Sequence, residues 1–253
     1  MAGHSHSSNI KFRKDRVDGK RAKAFSKLSR MITVAVRQGG ASVDGNPKLR
    51  LAIDKARVLS MSKDAIERAI RKGAGEGDQG NYEEMLYEGY GPGGVAVMLE
   101  LLTDNRFRTA PEIRKLFEDC GGNLAANGAV AWMFERRGVL VIEPTATWTE
   151  DRLTEIALEA GAEDLVRDGD LFRVYSKTAD FIAVKASVDA AGVPLRTAEL
   201  AYVASQRHPV GDPAVARRVA KLLDALDDHD DVQGVFSNED FTDDVAKALA
   251  AEP

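Results

Sequence analysis

Apolar residues recur at spacings of three to four in the first third of the chain. Phe25, Leu28, Ile32 and Ala35/Val36 form such a stripe, which predicts a helix from about Asp18 to a stop at Gly39-Gly40. Asn46-Pro47 reads as an N-cap followed by proline in the first turn of a second helix. That helix runs to about Leu59 with Leu49, Ala52/Ile53 and Ala56 inside. Ser62 caps a third through Arg71, with Ile66, Ala69 and Ile70 inward and Gly73 at its end. Short stripes of this kind cannot be buried singly, so they predict a small three-helix bundle. Gly73–Asn81 holds four glycines and little that is apolar, and reads as a linker.

The pattern then changes. Glu83–Tyr90 and Val95–Thr103 read as strands joined at Gly91-Pro92-Gly93-Gly94, a hairpin signal. Asp104 or Asn105 caps a helix over Arg108–Asp119, ended by Gly121-Gly122, and Ala129–Phe134 and Gly138–Ile142 are short strand candidates. Thr149 caps a helix to Ala160, Glu163–Arg167 pairs with Leu171–Tyr175, Ala179–Ala191 is helical, and Thr197–Ser205 is a strand. Pro213–Leu226 is a helix and Val232–Ser237 a strand. Residues 138–205 therefore spell β-α-β-β-α-β, the ferredoxin-like order. Residues 82–120 spell only β-β-α, which the α-β at 213–237 can complete. The expected fold is α+β and multidomain: an N-terminal three-helix domain and two α/β sandwich domains, one inserted in the other. The divisions fall at 1–78 (basic arm and helical domain), 79–131 with 206–253 (discontinuous middle domain) and 132–205 (inserted ferredoxin-like domain).

Charge sharpens this division. Residues 1–77 carry 18 Lys and Arg against 7 Asp and Glu, whereas residues 78–253 carry 17 against 33. The formal net charge of −5 hides that asymmetry, which suggests a nucleic-acid module on an acidic body. Between Lys11 and Arg30 lie nine basic residues and two acidic ones: Lys11, Arg13, Lys14, Arg16, Lys20, Arg21, Lys23, Lys27 and Arg30 are the cations. They are the candidate phosphate contacts, because such a cluster binds a polyanion with release of counterions. Residues 1–17 have too few apolar positions to bury a face and read as an extended arm. No helix-turn-helix spacing or zinc-finger ligand set supplies an evident base reader. DNA and ribosomal RNA both remain open as targets, and the acidic body suits basic ribosomal proteins. A scaffold whose arm docks on an acidic protein is the third alternative.

Other motifs carry less chemistry. Gly89–Gly94 lacks the Gly-Lys-Ser/Thr ending of a phosphate loop and reads as a hairpin turn. His4, with a free amine two residues before it after removal of Met1, can bind Cu(II). Its plainer assignment is to the nucleic-acid arm. Asp227–Asp231 lacks the glycine and glutamate of a calcium loop and reads as a solvated turn whose charge repels nucleic acid. The lone Cys120 precedes Gly121-Gly122 at a helix end and is expected to be buried. No catalytic triad, zincin motif or carboxylate pair stands out. A non-enzymatic protein is therefore expected, with no cofactor, no resident metal and no small-molecule substrate. One cysteine, no apolar run long enough for a span and no apolar leader lead to an expected cytoplasmic location away from membranes.

Several segments resemble the YebC family (YebC/PmpR). They are Met1-Ala2-Gly3-His4-Ser5, Asn9-Ile10-Lys11 with Arg13-Lys14, Asp18, Lys20-Arg21, Lys23, Phe25 and Lys27-Leu28, and Tyr87–Gly94. Thr103-Asp104-Asn105-Arg106, Cys120–Leu124 with Gly128, Glu159–Asp164 and Asp230–Gln233 also match. The resemblance covers almost the whole chain and is collinear. The family usually has Lys-Trp where His6-Ser7 stands here, and often histidine at Phe12. The resemblance implies three domains, the third inserted in the second. It also implies a probable DNA-binding transcriptional regulator. The alternative is a ribosome-associated translation factor, because a mitochondrial relative activates translation of a cytochrome oxidase subunit and some bacterial members act on ribosomes stalled at proline-rich stretches.

Overall fold

The computed structural model describes residues 21–75, 81–145 and 147–250. Helices α1 (Arg21–Gly39), α2 (Pro47–Val58) and α3 (Lys63–Gly73) form the bundle. Leu28, Ile32, Ala35, Leu49, Ile53, Ala56 and Ile66 pack inside it. Asn46 does two jobs at the α1–α2 corner. Its side chain accepts from the Leu49 N–H at 3.0 Å, and its amide donates to the Ala35 and Gly40 carbonyls at 2.8 and 2.9 Å. One side chain thus satisfies groups that both helix ends would leave unpaired. Residues 32–36 of α1 are buried without a break, wider than the one-sided stripe of the sequence. Val34 faces away from the bundle core into a cleft shared with the rest of the molecule.

The middle of the chain builds β1 (Glu83–Tyr90), β2 (Ala96–Thr103), α4 (Arg106–Asp119) and β3 (Asn123–Leu124). A second sheet follows from β4 (Phe134–Ile142), α5 (Glu150–Glu159), β5 (Asp164–Asp168), β6 (Leu171–Lys177), α6 (Phe181–Ala190) and β7 (Leu195–Ala204). The chain then returns through β8 (His208–Val210), α7 (Pro213–Asp227), β9 (Val232–Ser237), β10 (Glu239–Phe241) and α8 (Asp243–Ala250). The first sheet has the order β3-β1-β2-β9, so its last strand comes from beyond the whole second sheet. The second sheet runs β5-β6-β4-β7 with antiparallel neighbours, the split arrangement of a ferredoxin-like unit. The molecule is therefore α+β and multidomain, with one α+β unit inserted in the other.

Strand β2 is buried on both faces. Val97, Leu99 and Leu101 face Ile113 and Phe117 of α4 and Val219, Leu222 and Leu226 of α7. Ala96 and Met98 meet Val130, Phe134, Tyr202 and Phe236 on the opposite face. The fully buried Phe117, Leu222 and Leu226 each contribute about 1.5–3 kcal/mol by leaving water. In the second sheet, Leu140, Ile142, Leu153, Phe172, Val174, Phe181 and Val184 form a separate core.

Some local expectations change. Residues Ala131–Met133 form a 3-10 turn, not a strand. The Glu88 carboxylate accepts from the amides of Gly128, Val130 and Ala131 at 2.6–2.8 Å, so these amides do not join a ladder. Helix α4 starts at Arg106, two residues before Arg108, because Asn105 is its N-cap and accepts from the Phe107 and Arg108 amides. Thr149 stands at the start of α5 but makes no side-chain cap bond. The hairpin tip at Gly93 takes φ +72° and approaches so close to Val215 that an added Cβ would lie 2.8 Å from it. That tip is packed against α7 and does not project as a binding loop.

Candidate nucleic-acid interface

Lys23, Lys27 and Arg30 recur at i, i+4 and i+7 on α1 and so share one helix face. That face is not open solvent. It lies on the C-terminal end of α7 and the turn Asp227–Asp231. The Lys23 ammonium donates to the Asp228 carbonyl at 3.3 Å, and the Lys27 ammonium donates to the Asp227 carbonyl. Arg30 donates to the carbonyls of Leu102 and Asp230 at 3.3 and 3.0 Å and pairs with the Asp231 carboxylate at 2.8 Å. The Arg30 guanidinium also lies 5.5 Å from the centre of the Tyr82 ring. Burial at this contact pulls the Lys27 ammonium's pKa below its ordinary value, against the opposing pull of Asp227, Asp228 and Asp230.

Asp231 is the hub. It is buried, and besides Arg30 it receives Arg108 at 2.8 Å and the Thr109 hydroxyl at 2.7 Å. Thr109 in turn shares a 2.7 Å bond with Thr103, whose hydroxyl accepts from the Asn105 amide at 3.0 Å. Burial alone would raise the Asp231 pKa. The hydrogen bonds from Thr109, Arg108 and Thr103 and the Arg108 charge outweigh it, and the carboxyl sits below its usual value. The stretch Thr103-Asp104-Asn105-Arg106 therefore helps build a buried polar network that ends on α1. Arg108 also reaches Asp104 at 3.0 Å, and His229 meets Glu112 at 3.1 Å. A cleft of about 630 Å³ opens beside these groups, with Lys23, Arg30, Arg108 and Lys115 facing Glu112 and Asp228.

Of the expected phosphate contacts, Lys11, Arg13, Lys14, Arg16 and Lys20 lie outside the described residues, as does His4. Arg21 opens α1. Lys23, Lys27 and Arg30 are brought together, but on an acidic partner within the chain. Sequence reasoning missed Arg108 and Asp231 as members of this cluster. The only available signal was the pair of matched segments that contain Thr103-Asp104-Asn105-Arg106 and Asp230-Asp231. On α3, Lys63, Arg68, Arg71 and Lys72 are exposed among the exposed acids Asp64 and Glu67, and Lys63 lies 3.7 Å from Glu67. Cys120 is buried, and burial pushes its thiol pKa up. Among the described residues no group of three or more His, Cys, Asp or Glu is placed to hold a metal, and no helix is long and apolar enough to cross a membrane.

A cationic helical bundle docked on two nested α+β units defines a multidomain protein of a recognisable class. Family models match both parts: the TACO1/YebC protein N-terminal domain over residues 5–76, and the TACO1/YebC second and third domain over residues 82–239. The chain belongs to the TACO1/YebC family. It is 49% identical over 253 residues, all of both chains, to a "Probable transcriptional regulatory protein" of Halothermothrix orenii. It is 48% identical over 250 residues to the "Transcriptional regulatory protein PmpR" of Pseudomonas aeruginosa, covering 98% of this chain and 100% of that one. A crystal structure of a conserved hypothetical protein from Aquifex aeolicus superposes with a TM-score of 0.83 at 43% identity, covering 91% of this chain and 94% of that one.

Proposed function

We propose that this protein is a non-enzymatic regulator of gene expression that binds nucleic acid, and that it acts as a cytoplasmic, DNA-binding transcriptional regulator. The observation that carries the reading is the concentration of nine Lys and Arg between Lys11 and Arg30, attached to an acidic body. Lys11, Arg13, Lys14, Arg16, Lys20, Arg21, Lys23, Lys27 and Arg30 contact the phosphate backbone. Arginine grips phosphate with two donors and lysine acts as a point charge. The names of the relatives support a regulatory role. We also place the domain boundaries at 1–78, 79–131 with 206–253, and 132–205.

The test is equilibrium binding of labelled duplex DNA over a range of salt. Replacing Lys20, Arg21 and Lys23 together by Ala is expected to weaken binding about tenfold and to flatten the log–log salt slope by about 2–3. A specific reader also keeps its preference for one duplex over competitor as salt rises. Unchanged affinity and slope in the folded variant would exclude this face. A second reading, a ribosome-associated translation factor, draws on the excess of 33 acidic over 17 basic residues in 78–253, which suits basic ribosomal proteins. Co-sedimentation with ribosomal particles and indifference among duplexes would favour it.

A further inference from the structure

The partner that α1 meets in this structure is itself polyanion-like. The last carbonyls of a helix carry the negative end of its dipole, and the carbonyls of Asp227 and Asp228 at the end of α7 receive Lys27 and Lys23. Asp227, Asp228, Asp230 and Asp231 stand within the same five residues. The charges of the first three bear directly on Lys27. Closely spaced oxygen acceptors with negative charge are also what a phosphodiester backbone presents to a cationic helix face.

We propose that the α1 face of Lys23, Lys27 and Arg30 is a phosphate-binding surface for which the Asp227–Asp231 turn is the internal competitor. Turn and nucleic acid claim the same three cations, so the nucleic-acid-bound form is one in which α1 has left the end of α7. This rests on the nucleic-acid reading given above. Two features make the exchange feasible. The exposed Lys23 meets the turn in solvent, where charge interactions are weak and screened by salt, and the half-buried Lys27 regains hydration on leaving it. Asp231 keeps Arg108 and Thr109 when Arg30 departs, so no buried carboxylate is abandoned. The competition also gives the turn's negative charge a role: it raises the threshold that a weak polyanion must overcome, while a dense phosphate array still passes.

The full-length protein carrying Asp227→Asn, Asp228→Asn and Asp230→Asn, with Asp231 intact, tests this. The single Asp228→Asn protein serves as a milder variant should the triple change unfold the chain. A protein with Glu155→Gln, Glu159→Gln and Asp164→Asn, exposed acids of the second sheet's layer, controls for net charge. The probe is a short labelled random-sequence duplex. The expected result is about tenfold tighter binding by the turn variant, with a log–log salt slope steeper by about 2, one each for Lys23 and Lys27, because Arg30 still has Asp231. The single variant shifts affinity in the same direction by a smaller factor, and the control tightens binding less than about twofold. If wild type binds the duplex but the turn variant behaves like the control, the competition is overturned while the nucleic-acid reading stands. If no protein binds even at low ionic strength, the nucleic-acid reading fails and the competition goes with it.

Discussion

Asp231 shows how one carboxylate can organise distant parts of a chain. Its two oxygens take Arg30 from α1, and Arg108 and Thr109 from α4, while its own carbonyl, just before β9, accepts from the Leu102 amide of β2 at 2.7 Å. Removing it takes the carboxylate from Arg30 and Arg108, which keep the Leu102 and Asp230 carbonyls and Asp104, and takes the acceptor from the buried Thr109 hydroxyl. Asp231→Ala is therefore expected to cost about 1–3 kcal/mol, read as a lower denaturant midpoint. The pH dependence follows from the direction of its pKa. The folded state holds the carboxyl below its unfolded value, so the ionised form favours folding at neutral pH. That contribution is present above the ordinary carboxylate range and is lost as the pH falls through the lower folded value. The wild type should therefore lose more stability than Asp231→Ala between neutral and acid pH, and equal losses in paired acid titrations would contradict the assigned role. Glu88 works by the same principle: three backbone amides outweigh its desolvation and lower its pKa, and the carboxylate shapes the loop that replaces the expected strand at 129–134.

At the scale of elements, the helix and strand periods mark most of the secondary structure, and the exceptions have local causes. Caps were readable where a side chain completes them, as at Asn46, Ser62 and Asn105. Thr149 looked like a cap because of its type alone, and the hydroxyl that accepts from nearby amides is that of Thr145. The short β8–β10 pair was not legible, because three residues per strand carry too little alternation to detect. Gly73 illustrates a residue whose sequence role, stopping a helix, understates its packing role. It is buried, and an added Cβ would lie 2.6 Å from the Thr33 carbonyl oxygen and 2.7 Å from the Val36 Cβ. Gly73→Ala forces α1 and α3 apart and is expected to destabilise the protein by about 1–3 kcal/mol in chemical denaturation, against the usual gain from replacing a helical glycine.

At the scale of the molecule, ion pairs join the three structural units around a shared cleft of about 530 Å³. Lys48 of the bundle meets Glu84 of the first sheet, Lys55 meets Glu199 of the second at 2.6 Å, and Lys185 meets Asp54 at 3.2 Å. Arg136 of the second sheet lies 3.6 Å from Glu100 of the first. Glu100 is buried enough that its carboxyl pKa is raised despite Arg136 and Lys55. These partly exposed pairs are each worth about 0–1 kcal/mol and are screened over about 3 Å at 1 M salt. The two sheets also share the apolar core of Ala96, Met98, Phe134 and Tyr202. Raising salt to about 1 M is thus expected to loosen the bundle alone, read as a small increase in the radius of gyration in small-angle scattering with the circular dichroism of the two sheets unchanged. An unaltered radius would mean that apolar contact, rather than charge, sets the arrangement.

Local and near-local pattern determined the three helical stripes, the hairpin, the β-α-β-β-α-β order and the concentration of cations near the N-terminus. Each depends on residues a few positions apart, where periodicity and capping act directly. Tertiary structure alone decided what those cations touch. Arg30 and Asp231 are 201 residues apart, and no repeat along the chain encodes their meeting. It follows from β9 joining β2, which carries the end of α7 and its acidic turn onto α1. A face that reads as open and polymer-seeking in sequence is therefore already occupied in the folded molecule, because long-range strand pairing brought the opposite charge to it.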